Sequence, residues 1–251
     1  MTSPNSHLAF GIDISRYNTS PDGKKKVNFD IIAAHNPEVV FIGMRAGISW
    51  GYADPWFRYY FEEAKRINRV RMAYHVLYPG QPAQAQMDNF FRILGDGADL
   101  DVVPLVLDLE LDHGQTASKI TQTAVDCLRI IHHRSGQTPW IYSRAGWVNL
   151  YLRITDLPPV FWWLAQYRYS WPYPLFTPEY ASPPTLPNGV ANWHIHQSTC
   201  RGAGIGTPGA YFMDYNRFNG SKEDFLELIG QPAQQLIACP VDGCECPRIF
   251  R

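Results

Sequence analysis

Two acids two residues apart close an apolar run in this sequence: Val102-Val103-Pro104-Leu105-Val106-Leu107-Asp108-Leu109-Glu110-Leu111. A nearly continuous hydrophobic stretch reads as a parallel strand covered on both faces. Side chains two apart on a strand share a face, so Asp108 and Glu110 point one way and Leu107, Leu109 and Leu111 the other. Carboxylates set beside apolar strand residues are costly without a role, which favours a working pair over a solvated loop start.

The same placement recurs elsewhere. Asp13 follows Ala9-Phe10-Gly11-Ile12, and Asp214 follows Ala210-Tyr211-Phe212-Met213. Both therefore stand at or near the carboxyl ends of the first and last apolar runs, which are neighbours if the sheet closes into a barrel. Four carboxylates converging on one mouth make an acid–base site. Glycoside hydrolysis needs such a set: one carboxyl kept protonated to donate to the departing sugar oxygen, and negative charge to stabilise a cation-like centre. Clustering supplies both states, because mutual repulsion raises one member while another stays ionised. Glu110, with the longer reach, is the expected proton donor.

The elements that must position these acids are β/α units. Short β-rich runs at Leu8–Ile14, Val39–Arg45, Arg71–Val76, Val102–Leu111, Thr138–Tyr142, Val160–Gln166, Ala191–Gln197 and Tyr211–Tyr215 alternate with segments of helical period. Pro55 opens one such segment, with Phe57, Tyr60, Phe61, Ala64 and Ile67 at helical spacing. Gln84–Leu94 and Thr116–Ile131 are two more, and Ser221 with Asp224 forms a capping-box start for a last helix. Arg168–Asn188, rich in Pro, Tyr and Trp, has no helical period and reads as a long ordered loop. The expected fold is an irregular TIM-like α/β barrel with eight strands and fewer outer helices, its chemistry at the carboxyl ends of the strands. One catalytic domain over 1–230 is expected, followed by a cysteine-containing tail or linker over 231–251.

Composition narrows the function classes. A net charge of -1 leaves no electrostatic footprint for nucleic acid, and Lys24-Lys25-Lys26 reads as a solvated turn. No apolar run spans a membrane, and the N-terminal stretch lacks the order of a signal peptide. The five cysteines, Cys127, Cys200, Cys239, Cys244 and Cys246, do not read as a disulfide framework. Cys127 reads as a buried hydrophobe on a helix. The last three could offer thiolates to zinc, but paired spacing and a fourth ligand are missing, so neither metal nor cofactor is expected. His75, His194 and His196 read as structural residues.

Taken with these features, several segments resemble one family. Gly11-Ile12-Asp13-Ile14-Ser15-Arg16-Tyr17-Asn18, Asp108-Leu109-Glu110 and Phe212-Met213-Asp214-Tyr215-Asn216-Arg217-Phe218 are similar to glycoside hydrolase family 25, the muramidase lysozymes common in phages and bacteria. Met44-Arg45-Ala46-Gly47, Asp54-Pro55-Trp56-Phe57, Ala73-Tyr74-His75, Trp163-Leu164-Ala165-Gln166-Tyr167 and Trp193-His194-Ile195-His196-Gln197 follow in the family's order. Each match is short; the ordered set, from about Phe10 to Gly220, is specific. Leu77-Tyr78 after His75 and the cysteine-bearing tail depart from the family's pattern.

The resemblance implies hydrolysis of the β-1,4 bond between N-acetylmuramic acid and N-acetylglucosamine in peptidoglycan. It implies Glu110 as general acid/base, Asp108 orienting the reacting acetamide or stabilising the cation, and Asp13 and Asp214 lining the same pocket. Tyr78, Tyr142, Trp163 and Tyr167 are then expected as sugar contacts, with Gln197 as a hydrogen-bonding partner. A phage endolysin awaiting a holin, a virion-mounted hydrolase or a secreted enzyme would each suit such a protein. A non-catalytic wall-binding module and a chitin-type N-acetylglucosaminidase are the alternative readings.

Overall fold

A computed structural model of the chain describes residues 6–96, 100, 102–167, 182–208 and 212–230. Nine strands are found among them: β1 (Phe10–Ile14), β2 (Val39–Ile48), β3 (Tyr52–Ala53), β4 (Val70–Val76), β5 (Leu105–Asp108), β6 (Trp140–Ser143), β7 (Phe161–Ala165), β8 (Ile195–Gly202) and β9 (Met213–Phe218). Eight of them close into a barrel in the order β1-β2-β4-β5-β6-β7-β8-β9, with β9 returning to β1; β3 is a short partner of β2 outside the ring. Six helices accompany them: α1 (Phe29–Ala33), α2 (Phe57–Arg66), α3 (Ala83–Leu94), α4 (Ala117–Ser135), α5 (Ala145–Tyr151) and α6 (Lys222–Gly230).

Helix α2 buries Phe57, Tyr60, Phe61 and Ala64, the apolar stripe its spacing predicts. Thr116 caps α4 by accepting from the Lys119 N–H, and Ser221 and Asp224 exchange the two bonds of a capping box at α6. The short helices α1 and α5 were not foreseen from the sequence. Residues 168–181 of the expected ordered loop, and the tail from 231 on with Cys239, Cys244 and Cys246, lie outside the described residues. Cys127 is fully buried on α4.

Two of the expected strand boundaries are corrected. The run ending in Leu111 is a strand only to Asp108; one further ladder bond, Leu109 N–H to the Tyr142 carbonyl at 2.9 Å, carries the alternation as far as Glu110. The last strand runs from Met213 to Phe218 among the described residues, beyond the expected end at Tyr215, while Tyr211 lies outside them. It is also antiparallel to both neighbours, so the barrel is mixed. Asp214 consequently sits at the amino end of its strand, which an antiparallel strand turns toward the same mouth.

Alternation along the strands sorts the side chains into two cores. Residues such as Ile12, Ile42, Met44, Leu105, Leu107 and Leu164 pack outward with the helices. Phe41, Met72, Val106, Trp140, Trp163, Ile195 and Phe218 fill the barrel, and Phe225 of α6 plugs its lower end against Phe41, Phe218 and Trp140. Two glycines make room for the larger rings. A Cβ on Gly11 would stand 2.3 Å from Phe41, and one on Gly43 would stand 2.5 Å from Trp163 and 2.9 Å from the Asp13 Cβ.

Candidate active site

Continuing the inward alternation beyond the apolar filling brings Asp13, Arg45, Tyr74, Asp108, Tyr142 and Gln197 to one end of the barrel, each two residues past an interior position of its own strand, and the antiparallel β9 brings Asp214 there two residues before Asn216. They line a cavity of about 400 Å³ with Ile48, Val76, Glu110, Leu111, Trp163 and Tyr167. All four acids named from the sequence are there. Asp13 and Asp214 are register partners across the β1/β9 pair, and their side chains are hydrogen-bonded. Leu111, expected on the opposite face, lines the cavity because the chain has left the strand by then.

Asp13 is held hardest. Its Oδ2 accepts from Gln197 Nε2 at 2.7 Å and from Asn216 Nδ2 at 2.8 Å. Asn216 is itself fixed by Trp163, whose Nε1 donates to its Oδ1 at 2.8 Å. Gln197 Oε1 accepts from the hydroxyls of Tyr142, at 2.8 Å, and Tyr167. That pair of bonds settles the orientation of the Gln197 amide, since its NH₂ must then face Asp13. Gln197 was expected to hydrogen-bond substrate; its carbonyl is occupied and its amide positions Asp13.

Burial dominates the electrostatics. It raises the Asp13 carboxyl from 3.8 to about 6, against the opposing effect of the Asn216 and Gln197 donors. Burial, reinforced by Glu110 and Asp13, pushes Asp108 well above the carboxylate range, and burial with the neighbouring Asp13 does the same to Asp214. Glu110 is raised by burial and partly restored by Arg144, whose Nε lies 3.4 Å from its Oε1. Burial thus moves all four carboxyls toward holding their protons to higher pH, the direction a general acid requires. Glu110, its side chain 33% exposed, is more open than Asp108, whose Oδ1 is buried with no hydrogen-bond partner.

The aromatic expectations divide. Tyr142 and Tyr167 line the cavity, and Tyr167 is 37% exposed. Trp163 is 1% exposed, set edge-on to Tyr142 and Tyr74, and serves as the floor rather than a stacking face. Tyr78 does not line the cavity; it stacks on His113 with ring centroids 3.8 Å apart. His75 is buried against the Ser49 carbonyl and Phe90. Among the described residues no group of three or more His, Cys, Asp and Glu is arranged to hold a metal ion.

Sequence reasoning passed over Arg45, Tyr74, Asn216 and Arg144 as members of the site. Arg45 had a visible signal, a lone cation after Val39-Val40-Phe41-Ile42-Gly43-Met44. It is 9% exposed and bonds Asp54 Oδ2 through Nε and Nη2 at 3.0 and 2.9 Å. Asn216 also had one, two residues past Asp214 on the same face.

Comparison with known proteins agrees with this geometry. Residues 12–206 match Glycosyl hydrolases family 25. Among curated proteins, the uncharacterized protein YegX of Escherichia coli is 26% identical over 228 residues, covering 90% of this chain and 75% of YegX. Among solved structures, a bacterial lysozyme from Streptomyces coelicolor superposes with a TM-score of 0.69 at 23% identity, covering 89% of this chain and 97% of its own. A family GH25 lysozyme from Aspergillus fumigatus does so with 0.67 at 24% identity, covering 89% and 100%. At such identities the structural likeness speaks for the barrel.

Proposed function

Because the chain belongs to glycosyl hydrolases family 25, we propose that it is an N-acetylmuramidase that hydrolyses the β-1,4 bond between N-acetylmuramic acid and N-acetylglucosamine in bacterial peptidoglycan, encoded by a phage for host lysis or wall penetration. The observation that carries the reading is the convergence of Asp13, Asp108, Glu110 and Asp214 on one cavity whose burial raises each of them above the ordinary carboxylate value.

Glu110 is the proton donor in this proposal, being raised by burial yet open enough to meet the glycosidic oxygen. The buried Asp108 Oδ1 lacks a partner, and a substrate acetamide N–H would supply one. Accepting that bond would aim the acetamide oxygen at the anomeric carbon. The C–O bond to the leaving sugar then breaks as the acetamide oxygen bonds that carbon, and the Glu110 proton passes to the leaving oxygen. Water, deprotonated by Glu110, opens the resulting ring. Asp13, fixed by Gln197 and Asn216, and Asp214, hydrogen-bonded to it, set the charge beneath the reacting centre.

Glu110→Gln is expected to lower turnover of purified cell walls by about 10²- to 10⁴-fold while leaving binding intact. Mass spectrometry of the wild-type digest should show new reducing ends on N-acetylmuramic acid. Release of N-acetylglucosamine ends, or faster turnover of chitin oligomers than of peptidoglycan, would replace the substrate; binding without products from any wall would replace catalysis with a binding role.

A further inference from the structure

The hairpin joining β2 to β3 is fixed more firmly than a surface turn needs. Ser49 has φ 54, in the left-handed region that a side chain disfavours. Its N–H donates to the Val76 carbonyl at 3.0 Å, and its own carbonyl accepts from His75 Nε2 at 2.9 Å and Asn89 Nδ2 at 3.0 Å. Asn89 also donates to the Tyr52 carbonyl at 3.1 Å, and both His75 and Asn89 are buried. What this scaffold presents is Trp50, which is 60% exposed two residues after Ile48 of the cavity wall. A large aromatic held in water on a strained, internally bonded turn contributes little to packing and is suited to a ligand.

The same rim carries Tyr17, 65% exposed. Its ring lies 5.0 Å from the Arg16 Cζ and 5.1 Å from the Arg45 Cζ, and the Tyr52 ring lies 6.0 and 5.8 Å from the same two atoms. Arg45 lines the cavity, so this layered group of rings and cations continues directly from it. Asp54 neutralises Arg45 and accepts only a backbone bond from Arg16. The Arg16 guanidinium is exposed and has no ion-pair partner among the described residues. Stacking against tyrosines holds it in place without neutralising it.

We propose that Trp50, Tyr17 and Arg16 form an accessory subsite outside the cavity for a further muramyl unit of the glycan strand. The apolar face of the sugar stacks on Trp50, and a carboxylate of that unit, on its lactyl ether or its stem peptide, pairs with Arg16. The inference rests on the reading of the cavity as glycan-cleaving.

Binding is tested in the Glu110→Gln chain by calorimetry and tryptophan fluorescence. The probes are peptidoglycan fragments of increasing length with stem peptides, the same fragments with stems removed, and chitin oligomers of matching length. Long fragments are expected to bind about tenfold more tightly than disaccharides, close to 1.4 kcal/mol. Adding Trp50→Ala should erase that gain for muramyl and chitin strands alike, with Trp50→Phe retaining part of it. Adding Arg16→Ala should weaken muramyl strands alone, and the stem-free arm assigns the carboxylate to lactyl or peptide. Equal affinities at every length with and without Trp50→Ala would overturn the proposal while wall cleavage by the wild type stood. A wild-type chain that neither binds nor cleaves any glycan would instead overturn the underlying reading.

Discussion

At the scale of single residues, the site is a compromise between chemistry and stability. Each of the four acids is held above the ordinary carboxylate range chiefly by burial. A carboxyl raised in the folded state binds its proton more tightly than in the unfolded chain. Its contribution to stability is therefore full below the unfolded value and is lost as pH rises, for Asp13 between 3.8 and about 6. Replacing Asp108 by Asn removes one buried ionisable group with little change of shape, and its Oδ1 has no partner to lose. Asp108→Asn is expected to raise Tm by a few degrees at pH 7, where about 1 kcal/mol corresponds to roughly 2–4 °C. The gain should shrink toward pH 4, and thermal unfolding at the two pH values, with cell-wall turnover alongside, checks both. An unchanged Tm difference across that range would mean that Asp108 is not strained by its surroundings.

The elements explain which parts of this arrangement were legible in the sequence. Asp108 and Glu110 were readable because a period of two ties them to one face of an apolar run, and the stripe of α2 because Phe57, Tyr60, Phe61 and Ala64 recur at helical spacing. Strand direction leaves no such trace. An apolar run reads the same in a parallel or an antiparallel ladder, so Asp214 was located while the sense of β9 was not. The short α1 and α5 carry too few residues for a period to emerge. The hold of Gln197 on Asp13 was not legible for a different reason: its partners Asp13, Tyr142 and Tyr167 come from three other barrel strands or their ends, and no local pattern reports such a meeting. Helix α6 contributes one fully buried side chain, with Leu228 and Ile229 packed partly against the same core. Phe225→Ala should cost about 3–5 kcal/mol, since the ring fills the barrel's lower end between Phe41, Phe218 and Trp140. Denaturant unfolding measures the loss; one below about 1 kcal/mol would show that the barrel closes without its plug.

At the scale of the whole molecule, no helix among the described residues is long and apolar enough to cross a membrane. Separately, the phage proposal predicts that the enzyme reaches the wall only after a holin has opened the inner membrane. Expression in a Gram-negative host with a holin should therefore give rapid lysis, and expression alone should leave the culture turbid; lysis without a holin would point to a secreted role. The β1/β9 pairing described above also has a bearing on synthesis. Asp13 enters the world with the first barrel strand and Asp214 with the last, and only their antiparallel meeting closes the ring. A ribosome must release Phe218 before the wall of the mouth exists. A fragment from interrupted translation thus carries the Asp108 and Glu110 pair without the enclosure whose burial raises both carboxyls, and hydrolytic capacity becomes a property of the finished barrel alone.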